Sequence, residues 1–372
     1  MSEPEGWREG LWVGPGPDDD RAVSLLTEMV AIPSVSGAEG AVAQFLTKVM
    51  DGMGYHSEVD AAGNAVGHVG AGERHIVLLG HMDTVPGVIA VRREGSQLYG
   101  RGAVDAKGPL AAFIVAAARA GAGLGARVTV IGAGEEEAAT SKGAYHAVGQ
   151  YRPDFCVIGE PSGWDRITIG YKGRLLIDYA LERDVSHTAG RARAPCEDAV
   201  GFWLHVAEWA EAYNRDKDGA FATLDPSLRR ICSSSDGLRE WVEMTIALRL
   251  PPGLALAELL DPLVNTWGKY PDGAARVATR GHEEPFRAEK RTSLASAFLA
   301  AIRAEGGSPA YVTKTGTSDM NVVGPRWRCP IVAYGPGDSS YDHTPNEHID
   351  LDEYLRSVRV LTRVITRIGA IE

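Results

Sequence analysis

The sequence predicts an α/β catalytic domain split in two by an inserted α+β domain, and three observations carry that prediction. Short apolar runs repeatedly end at residues suited to binding a metal, turns and helix-compatible stretches alternate with those runs, and the segment from Tyr171 to about Glu284 changes pattern and holds none of the metal-suited blocks. Alternating strand and helix signals imply a mostly parallel sheet flanked by helices, and ligands of such sheets gather at the C-terminal ends of the strands. At 372 residues, 44% hydrophobic and 23% charged, the chain is long enough for two compact domains.

Taken in order, residues 1–20 read as a flexible leader rich in Glu, Gly, Pro and Asp. Arg21 to Met29 reads as a helix, Ile32 to Gly37 as a loop, and Ala41 to Met53 as a second helix. His75 to Gly80 is an apolar strand delivering His81 and Asp83, and Gly108 to Ala120 is a small-residue helix that packs on a sheet. Ala126 to Gly132 is the next strand and leads into the acidic turn Glu135-Glu136-Glu137. Phe155 to Gly159 delivers Glu160, and Cys329 to Gly335 precedes a Gly/Pro loop that delivers His343. Four strand ends therefore converge on one site. Inside the insertion, Leu175 to Leu181 and Trp241 to Leu250 alternate as strands, Pro195 to Tyr213 reads as a helix, and Pro251-Pro252-Gly253 breaks the chain before another. The expected division is 21–170 plus 285–372 for the catalytic domain and 171–284 for the insertion.

The blocks Gly80-His81-Met82-Asp83, Gly102 to Gly108, Glu135-Glu136, Gly159-Glu160-Pro161 and Asp342-His343-Thr344 supply imidazole and carboxylate ligands of the kind Zn²⁺ and Co²⁺ accept. With one shared carboxylate they suit two ions about 3.5 Å apart, an arrangement that hydrolyses amides. In the natural division His81 is a ligand oriented by Asp83, Asp105 bridges, Glu160 and Glu136 take one ion each, and His343 completes the second. Glu135 is then the spare carboxylate that moves a proton from the attacking water to the leaving amine. The alternative for residues 135–137 is a solvated acidic turn ahead of a helix.

A formal net charge of −11 excludes a general nucleic-acid or anionic-membrane binder. Cys156, Cys196, Cys232 and Cys329 are too scattered for a zinc knuckle or a disulfide framework and read as free, mostly buried thiols. Neither a secretory signal nor an apolar run of membrane-spanning length is evident, so a cytoplasmic protein is expected. Gly121 to Gly125 imitates a dinucleotide loop, but it follows a helix and precedes a strand, the reverse of the required order.

The five blocks together resemble those of the M20 family of dinuclear metallohydrolases, over the chain from about Ile32 to its end. The resemblance implies a phosphorylase/hydrolase-like catalytic domain with an inserted lid, and a homodimer formed through that lid. It also implies that His187, in Ser186-His187-Thr188, reaches across the dimer to stabilise the oxyanion. Arg249 then grips a substrate carboxylate, with Gly316, Thr317 and Ser318 forming a second carboxylate-binding loop.

Four longer stretches, Gly102 to Pro109, Ile158 to Trp164, Gly170 to Leu176 and Lys314 to Val322, resemble the branch of the family acting in lysine or arginine biosynthesis. That branch releases lysine, and in some organisms ornithine, from the γ-glutamyl C-terminus of the small acidic amino-group carrier protein LysW. Other branches deacetylate N-acetyl-lysine or N-acetylornithine or desuccinylate diaminopimelate, and a scaffold without activity is the remote alternative. Under the carrier reading Lys172, Arg174, Arg191 and Arg193 become docking points for the acidic carrier, and Glu283, Glu284 or Asp319 meets the lysine ammonium.

Overall fold

The computed structural model describes residues 16–121, 124–187, 189–190, 192–266 and 275–370. They divide into two compact units, Met1–Gly170 with Arg287–Val312 and Ser318–Glu372, and Tyr171–Phe286 with Thr313–Thr317. The second unit thus runs to Phe286 rather than 284 and includes a short return segment that the sequence pattern does not signal. The expected leader lies outside the described residues up to position 15, and α1 already begins at Asp19.

In chain order the elements are α1 (Asp19–Ala31), α2 (Gly40–Gly52), β1 (His56–Val59), β2 (Ala65–Val69), β3 (Arg74–His81), β4 (Arg92–Glu94), β5 (Gln97–Tyr99), α3 (Lys107–Ala120), β6 (Ala126–Ala133), α4 (Lys142–Gln150), β7 (Phe155–Gly159) and β8 (Arg166–Tyr171). The middle of the chain supplies β9 (Gly173–Asp184), α5 (Pro195–Asn214), β10 (Asp225–Ser235), β11 (Arg239–Leu250), α6 (Leu256–Leu260) and β12 (Arg276–Glu283). The last part adds β13 (Phe286–Arg287), α7 (Ser293–Ala304), β14 (Ala310–Lys314), α8 (Asp319–Trp327), β15 (Ile331–Ala333), β16 (His348–Asp350) and α9 (Leu351–Gly369).

The first unit is built on a mixed sheet of order β1-β2-β6-β3-β7-β15-β8-β13, with β14 paired to β8. At its centre β6, β3, β7 and β15 run parallel, and these are the strands whose apolar runs end at the metal-suited blocks. Burial on both faces explains their continuous apolar character. Helix α3 is buried from Lys107 through Ala118 because it lies among strands of the sheet, α1 and α9. Helix α9 turns Tyr354, Val358, Leu361, Ile365 and Ile368 inward and Arg356 and Arg363 outward. Each such fully buried aliphatic side chain contributes roughly 1.5–3 kcal/mol. The segment of the imitation dinucleotide loop connects α3 to β6, with Ala122 and Gly123 outside the described residues.

The opposite ends of the strands hold a neutral polar network. Thr129 Oγ1 on β6 lies 3.0 Å from His68 Nδ1 and 2.8 Å from His75 Nε2, so one hydroxyl serves imidazoles from the two neighbouring strands. His75 is only 4% exposed, and burial, helped by nearby Arg127, lowers its pKa to about 4. Unfolded, the ring takes its proton near pH 6.5. Native stability is therefore expected to decline as pH falls from 6.5 to about 4, by about 3 kcal/mol at most from this group, because only the unfolded chain binds the proton there. Denaturant titrations at pH 7 and pH 4.5 check this, and His75→Gln should flatten the difference.

The second unit is an antiparallel sheet of order β10-β11-β9-β12 with α5 on one face. Alternation in β9 and β11 places Leu175, Ile177, Tyr179, Leu181, Val242, Met244, Ile246 and Leu248 in one core with Phe202 and Val206 of α5. Edge strand β10 is exposed from Leu228 to Ser235 and carries Cys232 in the open, so the expectation of mostly buried thiols fails there. Cys156 is buried, while Cys196 and Cys329 are half-buried. Among the described residues no helix is long and apolar enough to cross a membrane.

Candidate metal centre

The C-terminal ends of β3, β6 and β7 and the loop after β15 bring the blocks together within the first unit. His81 Nδ1 faces the main-chain oxygen of Asp83 at 3.0 Å and its carboxylate at 3.5 Å, which places the proton on Nδ1 and leaves Nε2 available as a ligand. That Nε2 lies 3.1 Å from Asp105 Oδ1, and Asp105 Oδ2 lies 3.0 Å from His343 Nε2. Asp105 therefore stands between the two imidazoles, as a bridging carboxylate must.

Asp83 also organises the acidic turn. Its carboxylate accepts from Ser36 Oγ at 2.7 Å and from the amides of Glu136 and Glu137 at 3.1 and 3.0 Å. Burial alone would raise its pKa, but hydrogen bonds from His81, Ser36 and the Glu136 amide hold it below the usual carboxylate range. Glu135 adopts φ 60°, a left-handed conformation costing about 1–2 kcal/mol in a residue with a side chain. Its amide donates to Glu39 Oε1 at 3.1 Å.

That twist sets where the three glutamate side chains point. The Glu135 carboxylate turns away from the imidazoles, accepting from Thr140 Oγ1 at 2.7 Å and lying 3.6 Å from Lys142 Nζ. Glu136, expected beside His343, instead groups with His81 and Glu160. Glu137, which the sequence reading left without a task, lies 2.8 Å from His343 Nε2 and groups with His81 and Asp105. Three consecutive glutamates look alike in a sequence, and only the backbone direction at Glu135 separates them. The two amides that bond Asp83 belong to residues 136 and 137, a contact that no local sequence signal reports.

The donor chemistry fits a pair of divalent cations. Burial, then the charges on Asp319, Glu137 and Asp105, push Glu136 well above the usual range against the pull of His81. Burial and the charges of Glu136 and Asp105 do the same to Glu160, and burial with Asp105 raises Glu137. The imidazoles respond in the other direction. Hydrogen bonds to Asp105 and Glu137 push His343 to about 10, and despite burial Asp105 and Asp83 hold His81 well above its ordinary value. Asp105 itself, though buried, is held far below the carboxylate range by hydrogen bonds from both rings. Buried oxygens that resist ionisation together, facing two imidazole nitrogens, are the environment that metal cations neutralise.

Other expected residues fall elsewhere. Arg249 and Thr317 meet within the second unit, where Arg249 Nη1 donates to Thr317 Oγ1 at 2.8 Å. Among the described residues, nothing beyond its chain neighbours lies within 4 Å of where a Cβ on Gly316 would sit, and Ser318 caps α8 by accepting from the Met320 amide. His187 is exposed in the second unit and accepts from the Ala189 amide; Thr188 lies outside the described residues. Lys172 is not a docking point. It is 0% exposed and bonded to Asp225 Oδ2 at 2.5 Å and Thr223 Oγ1 at 3.2 Å. Arg174 donates to Gly281 O, Arg193 pairs with Asp198, and Arg191 lies outside the described residues. Of the carboxylates considered for an ammonium, Glu284 pairs with His282 in the second unit, whereas Asp319 is buried in the first unit near enough to Glu136 to raise its pKa.

Comparison with known proteins shows the family to which the chain belongs. A LysW-lysine hydrolase of Deinococcus radiodurans is 47% identical over 360 residues, covering 95% of this chain and 99% of that protein. A protein of Pyrococcus abyssi with the provisional name LysW-lysine/LysW-ornithine hydrolase is 36% identical, covering 94% of each. Among solved structures, the M20 family metallo-carboxypeptidase Sso-CP2 of Sulfolobus solfataricus superposes with a TM-score of 0.77 at 18% identity, covering 95% of this chain and 100% of that one. Such low identity speaks for the fold alone. The model of peptidase family M20/M25/M40 matches residues 77–367, and the chain belongs to that family.

Proposed function

We propose that this protein is a dinuclear metal-dependent hydrolase that releases lysine from the γ-glutamyl C-terminus of a LysW-type carrier, with carrier-linked ornithine as the alternative substrate to be tested. The observation that carries the substrate is the 47% identity to a LysW-lysine hydrolase over nearly the whole of both chains. His81, Glu160 and Asp105 would hold one ion and Asp105, Glu137 and His343 the other, with Zn²⁺ or Co²⁺ matching the nitrogen and oxygen donors. Bound there, the two ions polarise the amide carbonyl and lower the pKa of water.

The chain's own residues do the rest. Glu136, grouped with His81 and Glu160 and unwilling to stay ionised without a cation nearby, takes the proton of the attacking water and passes it to the leaving α-amino nitrogen. Asp83 keeps His81 in the right tautomer and holds the 136–137 turn. The planar Arg249 guanidinium, steadied by Thr317, suits the lysyl α-carboxylate, and Gly316 leaves room beside it. His187 of a second copy would stabilise the oxyanion in a homodimer joined through the second unit. Exposed Leu228 and Ile231 on edge strand β10 and exposed Val200 and Leu204 on α5 support that pairing.

Turnover of carrier-linked lysine, carrier-linked ornithine, N-acetyl-lysine, N-acetylornithine and succinyl-diaminopimelate, each with Zn²⁺ or Co²⁺, tests the substrate. Carrier-linked lysine is expected to lead in kcat/KM by at least about tenfold, or about 1.4 kcal/mol of transition-state binding. A lead for an acetylated or succinylated substrate would replace this reading with a deacetylase or a desuccinylase.

A further inference from the structure

Glu347 follows His343 by four residues and is 1% exposed, yet no role in the reaction above uses it. Its Oε1 accepts from the main-chain amides of Val104 at 3.1 Å and Asp105 at 3.2 Å. Its Oε2 meets Arg101 Nη1 at 2.7 Å. Arg101 in turn donates from Nη1 to Thr344 O at 3.3 Å and from Nε to Gly87 O at 3.2 Å. The Glu347 main-chain oxygen accepts from the Gly100 amide at 3.2 Å, and β16 begins immediately afterwards by pairing His348 with Tyr99 of β5.

The bonds close a small frame. One side is the turn 100–105, ending in the carboxylate that lies 3.1 Å from His81 and 3.0 Å from His343. The other is the loop 343–347, which starts with His343 itself. A buried ion pair is a poor way to gain stability, since removing both charges from water carries a desolvation cost that an apolar pair would not incur. What this pair does supply is direction. By accepting from the Asp105 amide, Glu347 sets the orientation of the peptide from which the Asp105 side chain departs, and through its own loop it ties that orientation to His343.

We propose that Glu347, held by Arg101, is a positioning residue for the ion bound by Asp105, Glu137 and His343. The proposal rests on the two-ion reading given above. Residues that orient metal ligands typically contribute 10–100-fold in affinity when removed. Glu347→Gln keeps the size and one acceptor oxygen but withdraws the charge that faces Arg101. Arg101→Lys keeps the charge and loses the fork that spans Glu347, Thr344 and Gly87.

The full-length protein, stripped by chelator, would be titrated with Zn²⁺ against a competing chromophoric chelator, with thermal unfolding and kcat and KM measured on the same preparations. Glu347→Gln is expected to weaken the ion held with Glu137 and His343 about 10–100-fold and the ion that shares Asp105 with it by less. kcat should fall, KM should stay within about twofold, and excess Zn²⁺ should restore kcat. Arg101→Lys should move the same quantities in the same direction by less, and it decides the matter if Glu347→Gln does not fold. Two ions bound with parental affinity in both variants would overturn the proposal. So would equal loss of both ions in step with a collapse in melting temperature, the signature of a purely structural pair. If the unaltered protein binds fewer than two ions, the two-ion reading fails first and takes this proposal with it, a result visible before any variant is made.

Discussion

Glu136→Gln is expected to lower turnover by about 10³-fold, within the 10²–10⁴ range for removing a general base, while both ions remain bound. The amide keeps the shape and the hydrogen-bonding capacity of the side chain but cannot accept the proton of the attacking water. Metal content and kcat measured on one preparation check both halves. The informative partner is Glu135→Gln. Since Glu135 turns away to Thr140 and Lys142, that variant should change activity by no more than about twofold, the effect of an ordinary peripheral substitution. The reverse ranking would return the proton-transfer role to Glu135 and imply that the turn reorganises when the ions bind. Mixing the Glu136→Gln protein with His187→Ala should restore part of the activity if a second copy supplies His187, since hybrid dimers contain one intact site. No recovery from a preparation shown to be dimeric would count against an intersubunit His187.

Asp105→Asn is expected to have the largest effect of any single substitution. Asp105 is the only carboxylate among the described residues placed within 3.1 Å of both site imidazoles, with Oδ1 toward His81 and Oδ2 toward His343. An amide nitrogen cannot donate a lone pair to a cation, so one oxygen remains where two are needed, and the negative charge that offsets two cations is gone. Loss of the cooperative pair removes at least about 4 kcal/mol of transition-state stabilisation, or about 10³-fold in kcat/KM, on top of weaker metal binding. Chelation of the unaltered protein should reproduce the loss and Zn²⁺ or Co²⁺ should reverse it, whereas Asp105→Asn should not recover at any attainable metal concentration. Recovery of the variant to parental activity would mean that Asp105 does not bridge.

Much of the site was legible because parallel strands that are buried on both faces must be continuously apolar and must end in turns. His81 ends such a strand, Glu160 follows one directly and the run at 135–137 begins one residue beyond another, which is why counting strand ends located the cluster. The exceptions share a cause. The direction of the Glu135 carboxylate was not legible because a left-handed residue redirects the chain, and periodicity does not report φ. Lys172 looked like a surface cation because charged side chains usually are, yet it is buried against Asp225, some fifty residues away in sequence. Glu347 and Arg101 escaped notice because their significance lies in main-chain amides and carbonyls they reach across the fold.

Short-range patterns in the chain settle the class of architecture and the chemistry available. Apolar runs, their period and their terminal His, Asp and Glu residues are local properties, set by what each short segment can bury and which atoms it can offer a cation. Long-range packing settles which of three adjacent glutamates faces which imidazole, which cations are spent on internal partners, and which distant carboxylate anchors the Asp105 turn. Those outcomes depend on backbone direction and on hydrogen bonds between segments as much as 246 residues apart, and local residue order does not encode such distances.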